Sequence, residues 1–170
     1  ETRSVLKPYG VWGVVSPFNF PLAIATGMTV GALVTGNTVV FKPASDTPAT
    51  ATLLVEILME AGVPEGVVNI VHGGGGEVGN AIVDHPEVDL ISFTGSTAVG
   101  IKISEMASKT LKRVSLELGG KNAQIVMDDA DINLAVDGVL WGAFGTTGQR
   151  CTATSGLILH EKILDNFMST

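Results

Sequence analysis

The chain has 170 residues, 45% hydrophobic and 16% charged, a balance that can bury a core and excludes an intrinsically disordered chain. Its formal net charge is −7, from 10 basic and 17 acidic side chains with no lysine or arginine cluster, so nucleic acid is not an expected partner. The length predicts one domain, or one domain and part of another.

A single cysteine, Cys151, excludes an intrachain disulfide and fits a reducing compartment, and a cytoplasmic location is expected. His72, His85 and His160 stand far apart with no companion ligands at metal spacing, and no metal site is predicted. No charged residue stands between Lys7 and Lys42, which raises the question of a membrane segment. Pro8, Pro17 and Pro21 break that run, and its uninterrupted part, Leu22 to Val34, is too short to span a bilayer. It reads as a buried helix between strands, with no membrane partner and no signal peptide expected. The chain starts at Glu1 without a methionine and stops a few residues into a predicted helix, so both ends are expected to be cut.

In chain order, Val11 to Val15 is a short apolar run that predicts a buried strand. Pro17-Phe18-Asn19-Phe20-Pro21 is a stiff turn, its second proline suited to the first turn of a helix reaching about Thr35. Asn37 to Lys42 predicts a second strand. Thr47-Pro48 opens a helix with Leu53, Leu54, Ile57, Leu58 and Ala61 on one face, closed by Gly62. The unit then repeats: a strand at Val67 to Val71, a glycine turn at Gly73 to Gly76, and a helix from about Glu77 to Val83. Leu90 to Phe93 predicts a strand, Thr94-Gly95-Ser96 a turn, and a helix follows to about Ala107. Strands are predicted at Arg113 to Leu118 and Ala123 to Val126, a long helix after Asp128-Asp129, and a last strand at about Gly156 to His160. This alternation predicts an α/β fold, a parallel sheet with helices on both faces. Ligands of such sheets sit beyond the carboxyl ends of the strands, where Asn19, Lys42, the glycine turns, Glu117 and Cys151 fall. A domain boundary is expected near Gly119-Gly120.

Several stretches carry candidate chemistry, each beside a plainer reading. In Gly145-Thr146-Thr147-Gly148-Gln149-Arg150-Cys151-Thr152, two glycines give a substrate access and Arg150 sets a positive charge next to the sulfur. A thiol reacts as its thiolate, and a neighbouring cation lowers its pKa; taken alone, the octet is more simply a loop with a small buried hydrophobe. Gly74-x-Gly76-x-x-Gly79 follows a strand and opens a helix, as a dinucleotide fingerprint does. No acidic residue ends the next strand to hold a ribose, and a tight glycine turn explains the run as well. Thr94-Gly95-Ser96 is the better phosphate site: Ser96 can cap a helix whose free amides favour an anion, and Gly95 allows close approach. Plain capping is the alternative. Lys42 can donate to ribose hydroxyls or a phosphate, or extend its ammonium to solvent. Asn19, held between prolines, presents a donor amide as an oxyanion hole requires, or is structural in its turn. Glu117, ending an apolar strand, is a candidate general base with a pKa raised by apolar surroundings, or a solvated carboxylate.

Taken together, Pro17-Phe18-Asn19-Phe20-Pro21, Phe41-Lys42-Pro43-Ala44-Ser45, Phe93-Thr94-Gly95-Ser96, Leu116-Glu117-Leu118-Gly119-Gly120-Lys121 and Gly148-Gln149-Arg150-Cys151-Thr152 resemble, in order and rough spacing, the NAD(P)-dependent aldehyde dehydrogenase superfamily. The resemblance covers essentially the whole chain. It implies a Rossmann-like cofactor-binding domain at 1–118, incomplete at its amino end, and the start of a second α/β catalytic domain at 119–170, truncated at its carboxyl end. By the same resemblance, Cys151 attacks an aldehyde to give a thiohemiacetal, and Asn19 with the Cys151 amide holds the oxyanion. Hydride passes to the nicotinamide of NAD or NADP, and Glu117 activates the water that hydrolyses the thioester. Lys42 falls to the adenosine ribose, Gly95 and Ser96 to the pyrophosphate, and Gly75 and Gly79 to the helix near the adenine. The implied partner is a small aldehyde, with a weak lean towards semialdehydes, and complete members are expected to be homodimers or homotetramers.

The chain departs from the family pattern in two places. Ser45 stands where NAD-preferring members often have a glutamate, so the repulsion of a 2′-phosphate is gone and dual use of NAD and NADP is expected. Gly156 stands where many members have arginine. Two alternatives accompany the reading: a CoA-acylating aldehyde dehydrogenase, against which Glu117 argues, and a non-catalytic nucleotide-binding or structural remnant.

Overall fold

A computed structural model describes residues 2–170 of the chain. The chain divides into two compact units between Leu118 and Gly119.

The first unit is built on five parallel strands: β1 (Val11–Val15), β2 (Thr38–Lys42), β3 (Val68–Ile70), β4 (Leu90–Gly95) and β5 (Arg113–Leu118). They lie in the order β3-β2-β1-β4-β5, with Val14 beside Phe41 on one side and Ser92 on the other. Side chains alternate across the sheet. Val14, Val39 and Phe41 are fully buried on one face with Ala25, Ala32, Ala51 and Leu54, which come from helices α1 (Ala23–Val34) and α2 (Pro48–Glu60). Ile91 and Phe93 on the other face pack with Ile82, Val83 and Ile103, from α3 (Asn80–Asp84) and α4 (Thr97–Ser108). Gly13 permits that second layer, since a Cβ there would lie 2.6 Å from Ile82 and 2.8 Å from Ile91.

Two expectations shift. The buried stripe of α2 is Ala51 and Leu54, with Val55 and Leu58 partly buried, whereas Leu53 and Ile57 are at least half exposed. Both sets recur at helical spacing, and the sheet chose between them. The glycine turn and following helix instead form a π-helical turn, Gly75–Gly79, running directly into α3. The other ends hold closely: Gly62 adopts φ +97° after α2, a left-handed cap that glycine takes without strain.

The second unit pairs β6 (Asn122–Val126) in parallel with β7 (Thr154–Leu159). Helix α5 (Ile132–Phe144) connects them, its first turn capped by the Asp131 carboxylate, which accepts from Leu134 N. A short helix α6 (Leu164–Ser169) closes the chain. Val126, Ile163 and Phe167 form its small core. Among the described residues no helix is long and apolar enough to cross a membrane.

Candidate functional site

Strand β1 is flanked by β2 on one side and β4 on the other, and the connections leave in opposite directions from it. A parallel sheet opens a crevice at such a point, beyond the carboxyl ends of the strands. Asn19 is half-buried in the segment leaving β1, and Gly95-Ser96 lies where β4 gives way to α4. The Ser96 hydroxyl accepts from Val99 N at 3.4 Å. A Cβ on Gly95 would sit 2.5 Å from Cζ of Phe93, so packing alone already requires glycine there.

The glycine run follows β3, an edge strand, yet it reaches towards the switch between β1 and β4, because Val15 and Phe93 line the cavity beside it. What it borders is a cavity of about 220 Å³, lined by Gly75, Gly76 and Gly79 on one side and by Val99, Lys102 and Ile103 of α4 on the other. A Cβ at Gly75 or Gly76 would meet nothing within 4 Å, and one at Gly79 would meet only Cδ of Lys42 at 3.8 Å. None of the three has a positive φ. Neither backbone conformation nor packing explains why these positions are bare. A larger cavity of about 490 Å³ opens beside Val11, Val40 and Val71 and includes none of the candidate residues.

Lys42 ends β2 and is buried, with 3% of its surface exposed. Its ammonium donates to the Pro43 carbonyl at 2.6 Å, and desolvation holds its pKa below the ordinary lysine value. Ser45 is exposed and donates to the Gly73 carbonyl at 3.4 Å. Lys42, Ser45, Gly75 and Gly79 thus gather at the carboxyl ends of β2 and β3. Glu117 pairs with Thr94 across β4 and β5 and is exposed. The apolar surroundings expected for it are not supplied by the described residues, because β5 is an edge strand with most of its side chains in solvent.

In the second unit, Cys151 is exposed at the second position of a tight turn closed by Ala153 N donating to Arg150 O at 3.0 Å. Before it, Thr146, Thr147 and Gly148 have φ values of 55°, 54° and 69°. Left-handed β-branched residues are strained by about 1–3 kcal/mol each, and such strain persists only when neighbours hold it. Arg150 is one such neighbour. Its guanidinium donates to the carbonyls of Trp141 at 2.8 Å and Gly142 at 3.2 Å and lies 3.8 Å from the Trp141 ring centroid. The expected charge beside the sulfur is committed to the end of α5, where a cation complements the helix dipole.

Asn122, which sequence reasoning passed over, is the other. Its amide donates to the carbonyls of Cys151 at 2.7 Å and Ala153 at 3.3 Å. The register slips between Asn122 and Ala123, and the Ser155 hydroxyl donates to Asn122 O at 3.2 Å across the slip. A Cβ on Gly120 would lie 3.4 Å from the Asn122 amide and 3.5 Å from Cys151 O, so the second glycine of the pair gives this contact room.

A model of the aldehyde dehydrogenase family matches residues 1–170. The chain belongs to the aldehyde dehydrogenase family. It is 50% identical over 168 residues to a 1-pyrroline-5-carboxylate dehydrogenase of Bacillus thuringiensis (strain Al Hakam), covering 95% of this chain and 33% of that protein. Among solved structures it resembles an NADP-dependent enzyme of E. coli at TM-score 0.93 and 44% identity, covering 96% of this chain and 34% of that one. It also resembles PnpE in complex with nicotinamide adenine dinucleotide at TM-score 0.92 and 47% identity, with 96% and 34% covered. These neighbours bear out the Rossmann-like α/β fold.

This aldehyde dehydrogenase family chain spans about a third of the length of the curated relatives it matches. Cys151 lies in one unit, and Asn19, Lys42, Ser96 and Glu117 in the other. No sequence signal pointed to Asn122, because its partners stand 29 and 31 residues further on. Gly156 is exposed and open around its Cα, and nothing in the structure explains its replacing an arginine.

Proposed function

We propose that a protein carrying this chain at the length of its relatives oxidises an aldehyde to a carboxylate with NAD or NADP. One observation carries the reading: the chain's only thiol is exposed on a tight turn, in a chain matched end to end by the aldehyde dehydrogenase family. The Cys151 sulfur attacks the aldehyde carbon, a C–S bond forms, and the carbonyl electron pair moves to oxygen. Asn19 and the Cys151 N–H donate to that oxyanion, where preorganised donors are worth most. A bound nicotinamide would supply the hydride acceptor; as the hydride leaves this carbon the oxyanion collapses and Cys151 carries a thioester. Glu117 removes a proton from water, the water oxygen bonds to the acyl carbon, the C–S bond breaks, and the thiolate is restored.

Residues 1–118 form the cofactor-binding domain in this reading, and 119–170 begin the catalytic one. The residues present fit a dinucleotide. Gly75 and Gly76 leave open space beside a cavity, Lys42 brings a donor to the same strand ends, and Ser96 caps a twelve-residue helix whose amino end favours a phosphate. Ser45 carries no charge to repel a 2′-phosphate, so both NAD and NADP are accepted. A semialdehyde is the first substrate class to test, and 1-pyrroline-5-carboxylate the first compound, because relatives at 49–50% identity are named for it.

The test is a steady-state assay with both dinucleotides and an aldehyde panel, on the native sequence and on Cys151→Ser. Turnover by the native protein and none by the variant is expected; unchanged turnover by Cys151→Ser overturns the nucleophile assignment.

A further inference from the structure

We infer that Asn122 is a positioning residue for the nucleophile: it pins one of the two peptide planes that flank Cys151. The inference rests on the proposed role of Cys151. A peptide unit is planar and trans, so fixing a carbonyl fixes the N–H on the far side of the same unit. The unit joining Arg150 to Cys151 is held by the turn bond from Ala153 N to Arg150 O. That bond turns the Cys151 N–H away from the turn's interior and leaves it out of the turn's own hydrogen bonding. The unit joining Cys151 to Thr152 has no such bond within the turn. Its carbonyl is instead held by the Asn122 amide at 2.7 Å, and the second hydrogen of the same amide reaches Ala153 O at 3.3 Å. With both planes set, the φ and ψ of Cys151 are set, and with them the direction of its Cα–Cβ bond.

Asn122 is well placed to do this because it is itself held. It begins β6, its backbone carbonyl receives the Ser155 hydroxyl at 3.2 Å, and it pairs with Thr154 just before the ladder slips past Ser155. The slip lets the chain leave the sheet within three residues of the cysteine. On the other side of Cys151 the chain runs through three consecutive left-handed residues, a path that does not hold itself. Valine, isoleucine or alanine at 122 would offer neither hydrogen.

A near-attack geometry is sensitive to displacements of about 1 Å, worth about 100-fold in rate. In a protein of its relatives' length, Asn122→Ala and Asn122→Asp are therefore expected to lower kcat by about 10- to 100-fold. The aspartate keeps the shape, loses both donors and sets a carboxylate against two carbonyl oxygens, so it should fall at least as far. Asn122→Ser, with one donor, should recover part of the loss. Dinucleotide affinity, read by nucleotide fluorescence titration, should stay within about twofold, and the alkylation rate of Cys151 by iodoacetamide should change in step with kcat. Each variant is read only after a thermal melt shows it folded, with the serine variant standing in where the alanine does not fold. Native kcat and native alkylation rates in the folded variants overturn the inference. Cys151→Ser run alongside separates the two claims: if it retains turnover, the nucleophile reading has failed; if it is inactive while the Asn122 variants are fully active, only the positioning role has.

Discussion

Arg150 stacks on Trp141 and hydrogen-bonds the same residue's carbonyl, tying the loop before Cys151 to the last turn of α5. An Arg–aromatic stack contributes about 0.5–1 kcal/mol where exposed, and lysine cannot reproduce a planar fork that serves two carbonyls. Arg150→Lys is expected to destabilise the protein by about 1–2 kcal/mol in urea denaturation, with the two carbonyl bonds contributing the larger share. An unchanged midpoint would mean that the stack and the cap are not holding the loop.

The glycines at 95 and 75 are bare for different reasons, and alanine separates them. At Gly95 a methyl group would press on the Phe93 ring at 2.5 Å, and overpacking of that kind costs about 1–3 kcal/mol. At Gly75 the space is open, and Gly→Ala in a helical backbone is neutral or stabilising by up to about 1 kcal/mol. Gly95→Ala should therefore melt earlier. Gly75→Ala should melt no earlier yet bind the dinucleotide more weakly, and native affinity in that variant would remove the cavity from the cofactor site.

Lys42 predicts an alkaline dependence of stability. Burial lowers its folded pKa below the lysine value of 10.5, so the folded protein releases this proton first. Between the folded pKa and 10.5 the unfolded chain binds more protons, and stability rises with pH through that window. Lys112 is lowered too, by desolvation against the opposing pull of Asp84 and Asp89, and acts in the same direction. Lys42→Met should flatten part of the slope and also weaken dinucleotide binding. Urea midpoints followed from neutral pH to about 10.5 measure the first and titration measures the second; an unchanged slope contradicts the burial argument.

Glu117→Gln should leave the first turnover intact and slow the later ones, because the glutamine cannot take a proton from the deacylating water. The expected signature is a burst of reduced nucleotide equal to the enzyme concentration, followed by a steady rate lower by about 10²–10⁴-fold. An unaltered steady rate would place water activation elsewhere.

Much of the fold was legible because its signals are local. Arg113 to Leu118 is a strand at its expected bounds, and Ser96 caps its helix with its own hydroxyl, since each depends on residues a few positions apart. The α2 stripe was legible only in part because Leu53 and Ile57, like Leu54 and Leu58, stand four residues apart, and only the sheet beneath decides which pair is covered. Arg150 was read as the cysteine's neighbour in sequence, whereas its guanidinium reaches back eight and nine residues to α5.

The sequence by itself determined the α/β alternation, the places of the glycine turns and of the Cys151 loop, and the family, because period, capping and motif spacing are written in adjacent residues. The tertiary structure alone decided that β1 and β4 are neighbours, that the glycine run borders a cavity shared with Val15 and Phe93, and that Asn122 holds the carbonyl of Cys151. Each of these is a pairing between residues distant along the chain, formed by backbone and side-chain hydrogen bonds and by packing that no local pattern encodes.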